Sequence, residues 1–307
     1  MLTALKALAD PIRLRLLAVL SHGEQTVQDL TATLRLGQSR ISHHLKVLCD
    51  ARILSVKPQG TWKYYRIEPA DEFLQTIWPQ VAARLEQVPA AADDLQVLNR
   101  LLAERRQQSL TFFEAHARQW DERARKLLPT PAYTGELLQM IPPQAALVEL
   151  GTGTGALLPE LSVRSRRLVG IDHSSAMLAE ARRRMVQAGL DCDLRLGELR
   201  HLPLADAEMD CAVLNMVLHH AEQPLEVLRE VSRVLAPGGR VVIADLLRHR
   251  DDAVRQTMAD VWLGFEPDEI IDGLHAAGFS GITCVQKAAA VAEYGIFLLT
   301  ATKTIGS

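Results

Sequence analysis

The 307-residue chain has few cysteines and no long apolar run, and each scarcity removes a class of protein. Its four cysteines, Cys49, Cys192, Cys211 and Cys284, stand far apart with no paired spacing. Neither a zinc framework nor a disulfide scaffold has that pattern, so we read them as buried thiols in a reducing compartment. No stretch is apolar for the length of a bilayer, and the mean hydropathy is close to zero (+0.02), so we expect no membrane partner. Met1–Lys6 leads straight into an amphipathic helical pattern without the apolar core and small-residue cleavage site of a secretory leader. A cytoplasmic location is therefore expected. Internal repeats and low-complexity segments are also missing.

What is present is enough apolar residue, 48%, to fill more than one core at this length. The net charge of −3 hides an asymmetry. Residues 35–66 carry Arg35, Arg40, Lys46, Arg52, Lys57, Lys63 and Arg66 against Asp50 alone, a net of +6. A basic patch on an otherwise acidic chain suits local phosphate binding, although a solvated charged face has the same composition.

The patterning divides the chain into residues 1–88, a helical connector over 89–130, and 131–307. Helical spacing runs from Leu5 to Leu20, interrupted and restarted at Asp10-Pro11. Short helices follow at 26–34 and 39–48, then two strands at 53–56 and 63–67 around a Pro58-Gln59-Gly60-Thr61 turn. That order predicts a winged helix-turn-helix. The connector reads as one long helix over 95–128, ending at Pro129-Thr130-Pro131. From Ala146 onward strands and helices alternate, which implies a parallel sheet covered on both faces. Two strands at 282–287 and 294–303 end the chain with only a turn between them, so the last should run antiparallel.

A recognition helix needs one polar face for base edges and phosphates and one apolar face to seat it. Gln38, Ser39, Arg40, Ser42, His43 and Lys46 fit the first requirement, and Ile41, Leu45 and Leu48 the second. In the wing, Lys57, Lys63 and Tyr64 are candidates for phosphate or minor-groove contact. The segment from Leu5 to Ile67 resembles the arsenic-repressor (ArsR) family of winged-helix repressors. The match runs through Leu8-Ala9-Asp10-Pro11-Ile12-Arg13-Leu14, Ser39-x-x-Ser42-His43-His44-Leu45 and Trp62-Lys63-Tyr64-Tyr65-Arg66-Ile67. The resemblance implies a homodimer on double-stranded, palindromic operator DNA. It does not carry metal sensing. Thr26 and Gln28 stand where metal-responsive members place cysteines, and residues 71–87 lack histidine, so no metal is expected.

Glu149-Leu150-Gly151-Thr152-Gly153-Thr154-Gly155 reads as a strand-to-helix loop whose glycines let a ligand approach the backbone at a helix N-terminus. With Asp172 ending the next strand, it also satisfies a dinucleotide fingerprint. Glu149 argues otherwise, since a carboxylate there can hold an amino group but would oppose a pyrophosphate. Asp172-His173-Ser174-Ser175-Ala176-Met177 places an acid for ribose hydroxyls and a Met to lie against a base, and Glu198-Leu199 offers an acid near an adenine amino group.

That set resembles the class I S-adenosylmethionine (SAM)-dependent methyltransferases, over residues 113–303. The fold class implied is α/β: a Rossmann-like, mostly parallel sheet with its last strand antiparallel, behind an N-terminal winged helix. Carried over, Gly151, Gly153 and Gly155, with Thr152 between them, line the methionine portion of the ligand. Asp172 and His173 border the ribose, Met177 packs on adenine, Glu198 and Leu199 bracket its edge, and Asn215 sits near the sulfur. Phe112, Phe113 and Trp120 resemble an aromatic lid, though helix core is an equal reading, and Tyr133 is a further candidate for the pocket. His219, His220, Asp245 and His249 are candidate acid–base groups for methyl transfer, each readable equally as a hydrogen-bonded rim residue. The fused order resembles regulators that sense S-adenosylhomocysteine (SAH) and control genes of the SAM cycle. The rival expectation is a small-molecule methyltransferase with a regulatory DNA-binding domain.

Overall fold

A computed structural model of the protein describes residues 1–127, 130–287 and 294–305. It resolves into two compact units, 1–107 and 108–307, and the division falls inside the expected connector.

In the first unit, helices Leu2–Leu8 and Pro11–Leu20 meet at Asp10. Its carboxylate accepts the backbone N–H of Ile12 (2.9 Å) and Arg13 (3.1 Å), which is why Asp10-Pro11 restarts the helix. Strand β1 (Gln25–Thr26) leads into helix Val27–Leu34, opened by a reciprocal cap between Thr26 and Asp29. Arg35, left-handed at φ 54°, ends that helix and turns the chain into the next, Gln38–Asp50. Strands β2 (Leu54–Gln59) and β3 (Trp62–Ile67) form the wing, in a sheet of order β1-β3-β2. Pro58 and Gln59, expected in the turn, continue β2 instead: it is an edge strand, where proline's missing N–H costs no ladder bond. Leu16, Leu17, Leu30, Ile41, Leu45, Leu48 and Ile53 are fully buried and form the core of this unit.

One helix, Ala91–His116, spans the division between the units. Within the first unit Asp94 takes a two-pronged bond from Arg15 (2.7 Å on each oxygen), and Arg105 bonds Asp29. The single long helix expected over 95–128 is broken by a 3₁₀ turn at Ala117–Gln119 and resumes as Trp120–Leu127. The expected stop at Pro129 lies outside the described residues.

The second unit is built on strands β4 (Ala145–Leu150), β5 (Ser165–Asp172), β6 (Asp193–Leu196), β7 (Met209–Asn215), β8 (Leu235–Leu246), β9 (Phe279–Lys287) and β10 (Ile296–Lys303). Their order is β6-β5-β4-β7-β8-β10-β9. The neighbours from β6 to β8 pair in parallel, and β10 runs antiparallel to both β8 and β9, as the terminal pattern implied. Every residue of β4 is buried, as expected of a central strand covered on both faces. The chain winds away from β4 in both directions, so a crevice opens at the carboxyl ends of β4, β5 and β7. Among the described residues no helix is long and apolar enough to cross a membrane.

Candidate functional site

The Gln38–Asp50 helix separates its faces cleanly. Ile41, His44, Leu45 and Leu48 are buried, whereas Gln38, Ser39, Arg40, Ser42, His43 and Lys46 are all exposed. Lys46 meets Asp50 one turn on (2.7 Å), but both groups are solvated and the pair is weak. His44 turns inward, its Nδ1 3.8 Å from Asp10, and burial lowers its pKa. In the wing Lys63 is exposed. Lys57 and Tyr64 are placed otherwise than expected: they face each other across β2 and β3 and both are buried, with the Lys57 ammonium 3.9 Å from Glu24.

At the crevice, the loop after β4 turns through three left-handed glycines, Gly151 (φ 66°), Gly153 (φ 53°) and Gly155 (φ 71°). Two of them are required by packing. A Cβ on Gly151 would stand 2.2 Å from Val217 Cγ2, and one on Gly155 2.9 Å from Ala181. Gly153 has open space where its side chain would be, so the loop leaves a backbone-lined gap at that position alone among the three.

Asp172, ending β5, is the organiser of this loop. One carboxylate oxygen accepts the N–H of Gly153 and the other that of Ser174, each at 2.8 Å. Glu149 is buried beneath the turn and accepts a bond from the Thr152 hydroxyl at 2.5 Å. Burial, with Asp172 adding like charge, pushes the Glu149 carboxyl up to about 8; the Thr152 bond opposes the rise. His173 stands 3.5 Å from Asp172. Glu198 is exposed and Leu199 half-buried just beyond β6. Asn215, at the end of β7, accepts a 2.8 Å bond from the buried Tyr133 hydroxyl, so Tyr133 does reach the crevice.

The aromatic residues cover this site. Phe113 packs with Ala117 and Met177, and Met177 is only 1% exposed, so its face is occupied by protein rather than open to a base. The Phe113 ring also meets Trp120 (5.1 Å), His173 (5.7 Å) and His220 (5.1 Å), which takes it across the crevice from the β5 end to the β7 end. Two carboxylates not foreseen from sequence fasten the cover. Glu114 accepts the N–H (3.1 Å) and hydroxyl (2.9 Å) of Ser175, and Asp121 binds the Thr154 hydroxyl (2.5 Å) and Arg184. Their partners lie 33 to 63 residues away, so no local pattern marks them.

Beyond the β7 end, His219 bonds Asp245 through Nδ1 at 2.7 Å. Burial alone would lower its pKa, but Asp245 and Asp260 outweigh it and raise the group to about 9. His220, largely buried beside it, is held well below the usual histidine range by desolvation first and then by the His219 charge. His249 is stacked on Tyr294 (4.3 Å) and lowered to about 4, mainly by burial.

Comparison with known proteins agrees with this architecture. Residues 10–56 match the model of the bacterial regulatory proteins of the arsR family, and residues 148–243 that of a methyltransferase domain. The chain thus carries an arsR-type helix-turn-helix followed by a methyltransferase domain. A 37.1 kDa protein of transposon Tn4556 from Streptomyces fradiae is 39% identical over 106 residues, 34% of this chain and 30% of that protein. An arsenite methyltransferase from Halobacterium salinarum is 31% identical over 110 residues, 34% and 28% of the two chains. The matched region is thus less than a third of either relative's length. Among solved structures, a SAM-dependent methyltransferase from Thermotoga maritima superposes with a TM-score of 0.52 at 19% identity, covering 64% of this chain and all of that one, a likeness of fold.

Proposed function

We propose that the protein is a dimeric DNA-binding repressor whose methyltransferase-like domain binds SAM or SAH and thereby modulates operator binding, controlling genes of the SAM cycle. The observation that carries the reading is the Ala91–His116 helix. It is tied to the helix-turn-helix unit at Asp94 and Arg105, and it ends with Phe113 lying across the crevice of the other unit. A ligand that seats its base on Met177 must move that ring.

The residues present suit a nucleoside carrying an amino acid. Asp172 keeps acceptor capacity for ribose hydroxyls after taking two backbone bonds, the gap at Gly153 admits a ligand against the backbone, and Glu149 offers a carboxyl to an amino group. Met177, Glu198 and Leu199 supply the base site, with His173 beside the ribose and Asn215 toward the sulfur. SAM differs from SAH by one methyl group and one positive charge at that sulfur. On the DNA side, Gln38, Ser39, Arg40, Ser42, His43, Lys46 and Lys63 form the contact face, while Lys57 and Tyr64 support the wing from within.

A coupling of about 1–3 kcal/mol, typical of two linked sites, shifts affinity roughly 5- to 150-fold. The test is fluorescence anisotropy of the full chain on its own upstream DNA at fixed salt, titrated separately with SAM and SAH. A several-fold shift by one ligand is expected. Specific DNA binding that neither ligand alters would remove the sensor role.

A second reading, a SAM-dependent small-molecule methyltransferase with a regulatory DNA-binding domain, draws on the buried His219–Asp245 pair at the strand ends. It requires turnover of SAM to SAH with an acceptor.

A further inference from the structure

His219, His220 and Asp260 bring three ligand-type atoms within 4.8 Å of one another. Asp260 Oδ1 lies 3.8 Å from His219 Nε2 and 3.6 Å from His220 Nδ1. All three side chains are largely buried, and Asp260 Oδ1, on a side chain 3% exposed, has no hydrogen-bond partner among the described residues. A buried carboxylate oxygen that accepts no hydrogen bond is costly, and the charged His219 ring, 3.8 Å away, offsets its charge without bonding it. A metal ion would displace that ring proton and bond the oxygen directly.

The surrounding groups fit a metal rather than a chance cluster. His219 Nδ1 is engaged by Asp245 at 2.7 Å, which leaves Nε2 facing Asp260. A ligating histidine whose other nitrogen is held by a carboxylate is the usual outer support of a metal site. Asp245 is itself fixed, accepting the N–H of Leu218 (2.9 Å) and of Leu246 (2.7 Å). The peptide around Asp260 is anchored as well, since Val261 and Trp262 both donate to the His219 carbonyl (3.0 and 2.9 Å). The His220 Nδ1 contact with the Ala259 carbonyl, at 3.3 Å, competes for that nitrogen and is a long bond. Arg255 acts on Asp260 through its charge and bonds the Val261 carbonyl.

We propose that His219, His220 and Asp260 bind one divalent transition-metal ion, with Asp245 orienting His219. Two nitrogens and one carboxylate oxygen form a three-protein-ligand set that leaves a position open. With bonds of about 2.0–2.2 Å, tetrahedral ligand atoms stand about 3.4 Å apart, so the two separations to Asp260 need to close by only a few tenths of an ångström. None of its ligands is assigned to the nucleoside or to DNA, although His220 meets the Phe113 ring that covers the crevice (5.1 Å).

The experiment is metal analysis of the untagged full-length protein after equilibration with Zn²⁺, followed by Co²⁺ titration of the chelated protein. About one ion per chain is expected, with visible Co²⁺ absorption of the kind nitrogen and oxygen ligands give. Asp260→Asn and His220→Ala should abolish the band. Asp245→Asn should weaken binding by roughly 10- to 100-fold with the band retained. Far-UV circular dichroism separates loss of ligand from loss of fold. Stoichiometry well below one in the native protein overturns the proposal, as does a band that survives unchanged in folded Asp260→Asn. The native measurement decides the matter even if a variant fails to fold.

Discussion

Ligand binding should carry a proton linkage centred on Glu149. Its carboxyl is 3% exposed and held up to about 8 from an ordinary 4.5, by burial first and then by the Asp172 charge. The native fold therefore holds this proton more tightly than the unfolded chain does. Its contribution to stability is complete below pH 4.5 and fades as pH rises through about 8. At 1.36 kcal/mol per pH unit, the full span is about 5 kcal/mol. A ligand ammonium seated against the carboxyl favours the ionised form, so binding should expel the proton. With a pKa of about 8, some nine-tenths of the sites start protonated at pH 7, and affinity for SAH should climb roughly 50-fold between pH 6 and pH 8 before levelling. Calorimetric titrations in two buffers of different ionisation enthalpy measure the proton directly. Glu149→Gln should flatten the profile and hold the fold's stability steady over the same range. Binding of SAH that is level from pH 6 to pH 8, or that takes up a proton, refutes Glu149 as the partner of the amino group. No binding at any pH would instead remove the nucleoside reading itself.

Four further outcomes are expected. Asp172→Ala deletes the acceptor of the Gly153 and Ser174 N–H groups and should weaken SAM and SAH binding by at least tenfold in calorimetry, since charged hydrogen bonds contribute about 1.5–3 kcal/mol. Gly151→Ala, whose Cβ would meet Val217 at 2.2 Å, should lower the melting temperature well beyond Gly153→Ala; the latter meets open space, carries only the left-handed strain of about 1–2 kcal/mol, and should keep the fold while obstructing the ligand. Arg40→Ala should cost roughly 1–3 kcal/mol in operator binding measured by anisotropy at constant salt, and an unchanged affinity would reassign the recognition face. Phe113→Ala should raise SAH affinity about tenfold by emptying the Met177 face, while shrinking the effect of SAH on DNA binding.

Periodicity made much of this molecule legible. Ile41, Leu45 and Leu48 fixed the orientation of the recognition helix, and the same spacing would have turned His44 inward too, between Ile41 and Leu48. The glycine turn and Asp172 were readable because the chemistry of a tight, ligand-facing loop is local to a few residues. Contacts made by folding distant segments together had no such signal. Asp121 reaches Thr154 and Arg184, Glu114 reaches Ser175, and Asp260 comes under His219 only in three dimensions. Lys57 was misread for a related reason: a basic residue in a wing has the composition of a phosphate contact, and only the sheet shows that its pleat points inward beside Glu24.

The cover over Met177 bears on how sensor and enzyme can be told apart. Phe113 buries the surface a base would use, and Glu114 and Asp121 hold that cover to Ser175, Thr154 and Arg184. Ligand affinity therefore includes the cost of opening an ordered cluster, and any influence that loosens the cluster tightens the ligand. The covering ring belongs to the helix that Asp94 and Arg105 fasten at its other end. Binding linkage is reciprocal: if SAH alters operator affinity by some factor, operator DNA must alter SAH affinity by that same factor. A repressor that works through this helix has to obey that equality. A methyltransferase whose helix-turn-helix merely tethers it to DNA meets it only trivially, with a factor of one in both directions, because its ligand affinity is the same with the operator bound or absent.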